Sequence, residues 1–333
     1  MQKTIETRAR VLTVRKEEGS KTVTVSADIC VVGAGIAGVS AALEAARLGQ
    51  KVVLVDVLPT LGGEAVNSVI GIFCGLLSNG PDFYQFTYGI AEEILRDLGA
   101  QGGLHYRRGD HNVVMYDDVL LSRWIEEAVR EAGITTLLTA ALRGANTDGK
   151  RIVSIDLGTR WGDVCVRARS FVDATGDAML AWQAGLPCRV PACGTVYGSH
   201  MLVLEGIPGE SWPGDEAISA RLKEKGKDYG LRRRQGFAFY FPPRKTVLVN
   251  MTHVETPLEP VSASAKILEG KKQADAVSAF LRSEFPGVFG SAKVRTYGVV
   301  GARQTRWIAG RYQLTEEDVR SGRRFEDAVA RTS

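Results

Sequence analysis

The sequence predicts an α/β fold: a parallel sheet with antiparallel crossover strands, joined to an inserted mixed α/β domain. Three observations carry this. Gly33, Gly35 and Gly38 in "VVGAGIAG" fit a G-x-G-x-x-G turn, apolar runs flank it at strand and helix spacing, and "KVVLVD" ends in Asp56. The glycine pattern alone is weak, because 37 glycines in 333 residues give roughly 0.5 matches by chance. Strand, turn, helix, strand and terminal acid within about thirty residues make it specific, the signature of a Rossmann-like dinucleotide-binding unit.

The elements follow in order. Residues 1–26 carry mixed charge with an alternation at "TVTV" (Thr22 to Val25), which reads as an arm or an extra edge strand. "ADICVV" (Ala27 to Val32) is a buried parallel strand by its apolar, β-branched run. Gly33 permits a tight turn, Gly35 lets backbone approach a pyrophosphate, and Gly38 lets helix and strand pack closely. "IAGVSAALEAARLG" (Ile36 to Gly49) has small and apolar residues at helical spacing and a glycine stop. Its free N–H groups and positive dipole end suit phosphates. Asp56 suits a ribose 2′-OH and repels a 2′-phosphate, which disfavours NADP and leaves NAD or FAD.

A helix runs from Asp117 to Ala132, capped by Asp and stopped before Gly133. Strand-like pieces begin at Ile134, Arg151 and Asp163, with turns at Asn146 to Lys150 and Thr159 to Asp163. "SFVDATGDAMLAWQAG" (Ser170 to Gly185) is a strand that breaks at Ala174-Thr175-Gly176-Asp177 and re-enters a helix, with Asp177 expected as its N-cap. These elements make a first domain over residues 27–185. "LPCRVPACGTVYGS" then reads as a linker into a substrate domain over 186–298. It holds strands in "HMLVLEG", "FAFYF" and "KTVLVNMTHVE", and helices over Asp215 to Gly226 and Ser262 to Phe285. Residues 299–333 return toward the first domain. There Arg303 and Arg306, three apart, are expected on one face of a short helix, and Thr315 is expected to cap the next one.

The bulk numbers narrow the class. An apolar fraction of 44% with 24% charged residues is that of a folded protein with a sizeable core. The net charge of +4 is spread along the chain, and its densest basic run, "LRRRQG" (Leu231 to Gly236), reads as a solvated loop, so no nucleic-acid partner is expected. No apolar stretch has the length of a membrane span, and the first twenty residues lack the apolar run of a secretory signal. The five cysteines form no C-x-x-C pair and the four histidines are scattered, so neither a metal site nor an iron–sulfur cluster is expected. Cys188 and Cys193 have an unusual spacing for a redox pair, and His200 and His253 read as structural. A reducing cytoplasm is the expected compartment.

Through these residues the sequence resembles the FAD-dependent oxidoreductases with a glutathione-reductase-type flavin domain. The resemblance is to the branch reading D-A-T-G-D-A at the strand end, relatives of the heterodisulfide reductase flavin subunit. It extends from Ala27 over most of the chain, through "GIAEEILRDLGAQGG", "DDVLLSRWIEEAVREAGI" and "GARQTRWIAGRYQLTEEDVRSGRRFEDAVA". It implies FAD as the cofactor, Gly33, Gly35 and Gly38 on the pyrophosphate, and Asp56 on the adenosine ribose. It implies Gly62 and Gly63 along the approach to the flavin, with Asn67 and Ser68 nearby. Thr175 and Gly176 would form the turn closing on the dinucleotide. Arg303 and Arg306 would hold a substrate carboxylate or stabilise charge on the reduced ring; the competing reading leaves them solvent-facing or paired to local acids.

Members of that family continue past the "TEEDV…GRRFEDAVA" helix with a strand, a Gly-rich turn and a helix that complete the flavin site. This sequence ends at Ser333 before them, so three expectations compete: a partial flavoenzyme, a subunit completed by a partner chain or a second copy, or a non-catalytic relative. The expected activity is two-electron, hydride-type oxidation or reduction of a small organic substrate through flavin N5. The rivals are a non-catalytic flavoprotein subunit and an NAD-dependent dehydrogenase.

Overall fold

The computed structural model describes residues 22–109, 111–191, 196–208 and 212–328. Its organising strand is β1 (Val23–Val32), whose carboxyl half is covered on both faces. Val31 packs into a core under the helices, while Cys30 and Val32 pack into a second core opposite. Burial on both faces explains the apolar run, as in any central parallel strand. The chain turns through glycine into α1 (Ile36–Arg47) and then β2 (Val52–Val55), parallel to β1. After α2 (Gly63–Asn67) come β3 (Ile72–Cys74), α3 (Ile90–Ala100), β4 (Leu104–Arg107) and β5 (Val113–Tyr116). Strands β3, β5 and β4 make a small antiparallel sheet.

Helix α4 (Asp118–Glu131) starts on Asp117, whose carboxylate accepts from the N–H groups of Val119 and Leu120. Such a cap satisfies orphan donors and stabilises a helix by about 1 kcal/mol. Then come β6 (Thr135–Leu137), the antiparallel pair β7 (Ala141–Asp148) and β8 (Arg151–Thr159), and the long β9 (Gly162–Asp173), parallel to β1. The main sheet has the order β6-β2-β1-β9-β8-β7.

After α5 (Met179–Gln183) and the short β10 (Cys188–Arg189), the second region is built from β11 (Leu202–Glu205), α6 (Gly214–Lys225), β12 (Phe237–Phe241), β13 (Thr246–Asn250), α7 (Pro260–Glu284), α8 (Pro286–Phe289) and β14 (Lys293–Tyr297). Its sheet order is β12-β13-β11-β14, and α7 buries Val277, Phe280 and Leu281 against Leu202, Val247 and Val249. Each such side chain stabilises the fold by about 1.5–3 kcal/mol through area removed from water. The chain closes with β15 (Trp307–Ile308), paired with β10, and α9 (Glu316–Arg320), capped by Thr315 in a box with Asp318. Arg244, between β12 and β13, donates through Nε to the buried Asp117 carboxylate and ties the two regions together.

Several expectations are corrected. Thr22 to Val25 is neither an arm nor a separate edge strand: β1 begins at Val23 and pairs there with β9 alone, because β2 is only four residues long. Residues 1–21 lie outside the described residues. The two pieces read at Asp163 and Ser170 are one strand, β9. Arg303 and Arg306 are not on a helix: Gly301 bridges to Ser199, holding this stretch extended. The helix expected through "EDAVA" stops at Arg320, with Gly322 turning the chain at φ 61°.

Candidate functional site

A cleft of about 730 Å³ opens at the carboxyl ends of β1, β2 and β9, where open α/β sheets bind ligands. One wall is the turn from β1 to α1. A Cβ on Gly33 would lie 2.3 Å from the Ala174 carbonyl oxygen, and one on Gly38 1.8 Å from that of Gly33. Those two glycines serve packing of the turn on the end of β9, and Gly38 is not in the cleft wall. Gly35 differs: a Cβ there meets nothing nearer than the Gly63 Cα at 3.9 Å, because that side of the residue faces the cleft. Gly35 is also the N-cap of α1 and offers no side-chain cap. The first-turn N–H groups and the positive end of the helix dipole are therefore unspent at the cleft wall.

The second wall comes from the loop after β2. Gly62 forms a parallel bridge with Gly35 and donates its N–H to the Ala34 carbonyl at 2.8 Å. Gly62 and Gly63 both have positive φ, 97° and 52°, which side-chain-bearing residues rarely adopt. Asn67 lines the cleft, yet its amide braces the loop: Nδ2 donates to the Gly63 carbonyl at 2.9 Å and Oδ1 accepts from the Thr60 hydroxyl at 2.7 Å. Ser68 is buried at the end of this wall, and its backbone abuts Gly298. Asp56 accepts from the Ala34 N–H at 2.6 Å and the Leu58 N–H at 2.8 Å, one on each carboxylate oxygen. Each oxygen keeps a lone pair for a hydroxyl donor.

The third wall is Thr175, Gly176 and Asp177. The Thr175 hydroxyl donates to Asp173 Oδ1 at 2.7 Å and accepts the Met179 N–H at 2.9 Å. Asp173 Oδ2 accepts the Ala181 N–H at 3.0 Å. The N-cap of α5 is Ala178 rather than Asp177, and the Thr175 hydroxyl takes the first helical N–H in place of a side-chain cap. The Asp177 carboxylate is released to the cleft, where it accepts from the Thr305 hydroxyl.

The returning segment closes the site and separates the arginine pair. Arg303 lines the cleft. Arg306 turns away, its guanidinium 4.9 Å from the Trp182 ring centre and its Nε 3.4 Å from the Asp177 carbonyl oxygen. It clamps the segment to α5. Among the charged residues of the cleft, sequence reasoning missed Glu64 and gave Asp177 only a capping role. Glu64, directly after the glycine pair, opens onto the cleft, yet the surrounding walls strip enough water to push its carboxyl pKa up. Asp177 pushes it the same way, while the Ala302 N–H and the Arg303 charge oppose.

Elsewhere, burial pushes the Cys30 thiol up to about 12, which makes it inert. Cys188 is a free thiol; Cys193, whose spacing from it is unusual for a redox pair, lies outside the described residues. Among the described residues no cluster of metal-ligating side chains forms, and no helix is long and apolar enough to cross a membrane.

The residues present fit a flavin dinucleotide, on two observations: the open face at Gly35 beside an uncapped helix start, and an acid at the end of β2 with lone pairs to spare. The family model described as FAD dependent oxidoreductase matches residues 28–333. No curated protein matches the chain. Among solved structures, it is similar to a geranylgeranyl bacteriochlorophyll reductase-like protein from Thermoplasma acidophilum, at 14% identity over 84% of this chain and 66% of that one, with a TM-score of 0.52. It is similar to CabE, an aromatic hydroxylase from angucycline biosynthesis, at 15% identity over 86% of this chain and 54% of that one, TM-score 0.51. The p-nitrophenol 4-monooxygenase PnpA from Pseudomonas putida matches at 10% identity over 86% of this chain and 70% of that one, TM-score 0.51. At these identities the likeness is one of fold, and the chain spans just under two thirds of the first protein and about half of the second. The family match and a cleft built around Gly35 and Asp56 agree, and the chain belongs to the FAD dependent oxidoreductase family, with FAD as its cofactor.

Proposed function

We propose that this chain catalyses two-electron oxidation or reduction of a small organic substrate by hydride transfer. The observation that carries this is the cleft itself, which is lined by Gly33, Gly35, Gly62, Gly63 and the acid Asp56, and also by Glu64, Asp177 and Arg303. When bound, the flavin supplies the hydride acceptor or donor at N5. Gly35 and the α1 N-terminus hold the pyrophosphate, Asp56 the adenosine ribose, and the Gly62–Gly63 loop lies along the rest of the cofactor. Thr175 and Gly176 close over the dinucleotide, with Asn67 bracing the opposite wall. Glu64, its proton held more tightly than that of a free carboxyl, gives or takes a proton as the substrate is reduced or oxidised.

The test is anaerobic mixing of the FAD-loaded chain with a panel of alcohols, hydroxy acids and amines, followed by absorbance. Bleaching of the flavin band by a panel member, with one equivalent of oxidised product, is the expected result. A flavin bleached by dithionite but by no organic substrate would instead favour a non-catalytic subunit.

A further inference from the structure

The basic run at residues 231–236 does not behave as a solvated loop throughout. Arg232 is exposed and pairs with Glu255. Arg233 is half-buried, and its Nη1 donates to the Asn250 side-chain oxygen at 2.6 Å and to the Thr252 carbonyl at 3.5 Å. Both partners are neutral, and both use the same nitrogen. Its Nε and Nη2 donors make no bond among the described residues. That is unusual for a desolvated guanidinium, which ordinarily has a carboxylate against it.

The backbone brings this arginine toward Arg303, which lines the cleft. Val254 bridges antiparallel to Gly198, and the next residue, Ser199, bridges to Gly301. These isolated bridges set His253, Tyr197 and Arg303 on adjoining segments, with Arg233 anchored on residue 252 beside them. The His253 and Tyr197 rings stack, with centres 4.8 Å apart and planes within 8°. Arg303 makes no hydrogen bond or ion pair among the described residues, although its charge is felt by Glu64 on the cleft side. Burial, and then the Arg303 charge, bring Arg233 down to about 10. Burial lowers His253 as well, followed by the charges of Arg233 and Arg303. Two other arginines that cross between elements have acids: Arg107 has Asp215 and Arg244 has Asp117. Here the charges of two arginines act on the stacked His253, neither is ion-paired to an acid among the described residues, and the Arg233 guanidinium lies 5.7 Å from the Phe237 ring centre.

We propose that Arg233 and Arg303 together bind the carboxylate of a small organic acid, held against the stacked Tyr197–His253 wall at the mouth of the cleft. This rests on the oxidoreductase reading and names its substrate class. A planar carboxylate matches the fork of a guanidinium, and two guanidiniums with donors to spare supply both charge and direction. The arginine pair suggested by spacing, Arg303 with Arg306, is thereby replaced by Arg303 with Arg233, seventy residues earlier in the chain.

The test is calorimetric titration of the full chain with added FAD, at constant ionic strength. The probes are acetate, malonate and benzoate, their amides acetamide, malonamide and benzamide, and inorganic phosphate. FAD retention and melting temperature are read on each sample. The expected result is at least one acid binding tenfold or more tightly than its amide and than phosphate, with that preference lost in Arg303→Gln and kept in Arg306→Gln. Arg233→Gln should behave like Arg303→Gln; since it also removes bonds to Asn250 and Thr252, Arg303→Gln decides if it fails to fold. Acids binding no better than amides, an unchanged affinity in Arg303→Gln, or tighter binding of phosphate would each overturn the proposal. So would loss of FAD in Arg303→Gln, which would put that arginine on the cofactor. A chain that selects acids but retains no FAD would keep the anion site while contradicting the flavin reading. One that retains FAD without selecting acids would do the reverse.

Discussion

Gly63 lies so close to Gly35 that a Cβ added to it would be 2.6 Å from the Gly35 Cα, whereas a Cβ added to Gly35 meets nothing nearer than 3.9 Å. The asymmetry separates a glycine required by the fold from one required by the ligand. Gly63→Ala should destabilise the chain by about 2–3 kcal/mol, from the left-handed φ and the backbone clash together. Gly35→Ala should cost under about 1 kcal/mol, the difference between two helix N-caps. The same variant should weaken FAD binding by about 100-fold, equivalent to about 2.7 kcal/mol. Thermal melts and fluorescence titration with FAD on both variants check this.

Arg306 is predicted to be structural. Arg306→Ala removes the stack on Trp182 and the contact with the Asp177 carbonyl, which should lower stability by about 1 kcal/mol. FAD retention after desalting should equal that of the unaltered chain. A variant that melts normally but sheds FAD would return Arg306 to the cofactor.

Glu64→Gln preserves an oxygen able to accept from the Ala302 N–H and removes the proton. Flavin binding should persist while turnover falls by about 100-fold or more. Because burial raises the Glu64 pKa, the limb of the pH–rate profile assigned to it should lie above that of a free glutamate and vanish in the variant. Steady-state rates across pH, with a substrate that bleaches the flavin, give the answer.

His200 is 2% exposed, and neither ring nitrogen finds a hydrogen-bond partner among the described residues. Burial lowers its pKa, the Lys271 charge lowers it further, and Asp275 opposes. Since the folded-state value lies below the unfolded value of about 6.5, the unfolded chain binds the proton first as pH falls. Stability should therefore be full above about pH 6.5 and decline on acidification toward the folded-state pKa. His253 is shifted in the same direction, so His200→Leu should flatten this decline without abolishing it. Denaturant midpoints at neutral and mildly acidic pH measure the slope; an unchanged slope in the variant would contradict the assignment.

The first strand–turn–helix–strand unit was legible because its determinants are local. Gly33, Gly35 and Gly38 bracket a turn, Gly49 stops α1, Asp117 caps α4, and Asp56 ends β2. Strands β3, β4 and β5 were not legible, because runs of three or four residues gain stability only when Ile72 meets Met115 and His105 meets the same Met115 across the sheet. Strand β7 was hidden by Gly144 and Asn146, polar or flexible residues tolerated because β8 supplies the pairing. The cleft's glycine walls and Asp56 could be named from sequence. Asp177 could not be assigned, since the competition between two capping side chains was decided by the Asp173–Thr175 bond. Nor could Arg233, whose relation to Arg303 exists only after the Gly198–Val254 and Ser199–Gly301 bridges form.

The central claim is that this chain holds FAD in the cleft between the Gly35 turn and the Gly62–Gly63 loop. The most direct measurement is the absorption spectrum of the purified 333-residue chain and of its Gly35→Ala variant, each incubated with FAD and desalted. About one flavin per chain is expected in the first and little or none in the second, with both chains folded by circular dichroism. A colourless unaltered chain, or a Gly35→Ala chain as yellow as its parent, would contradict it.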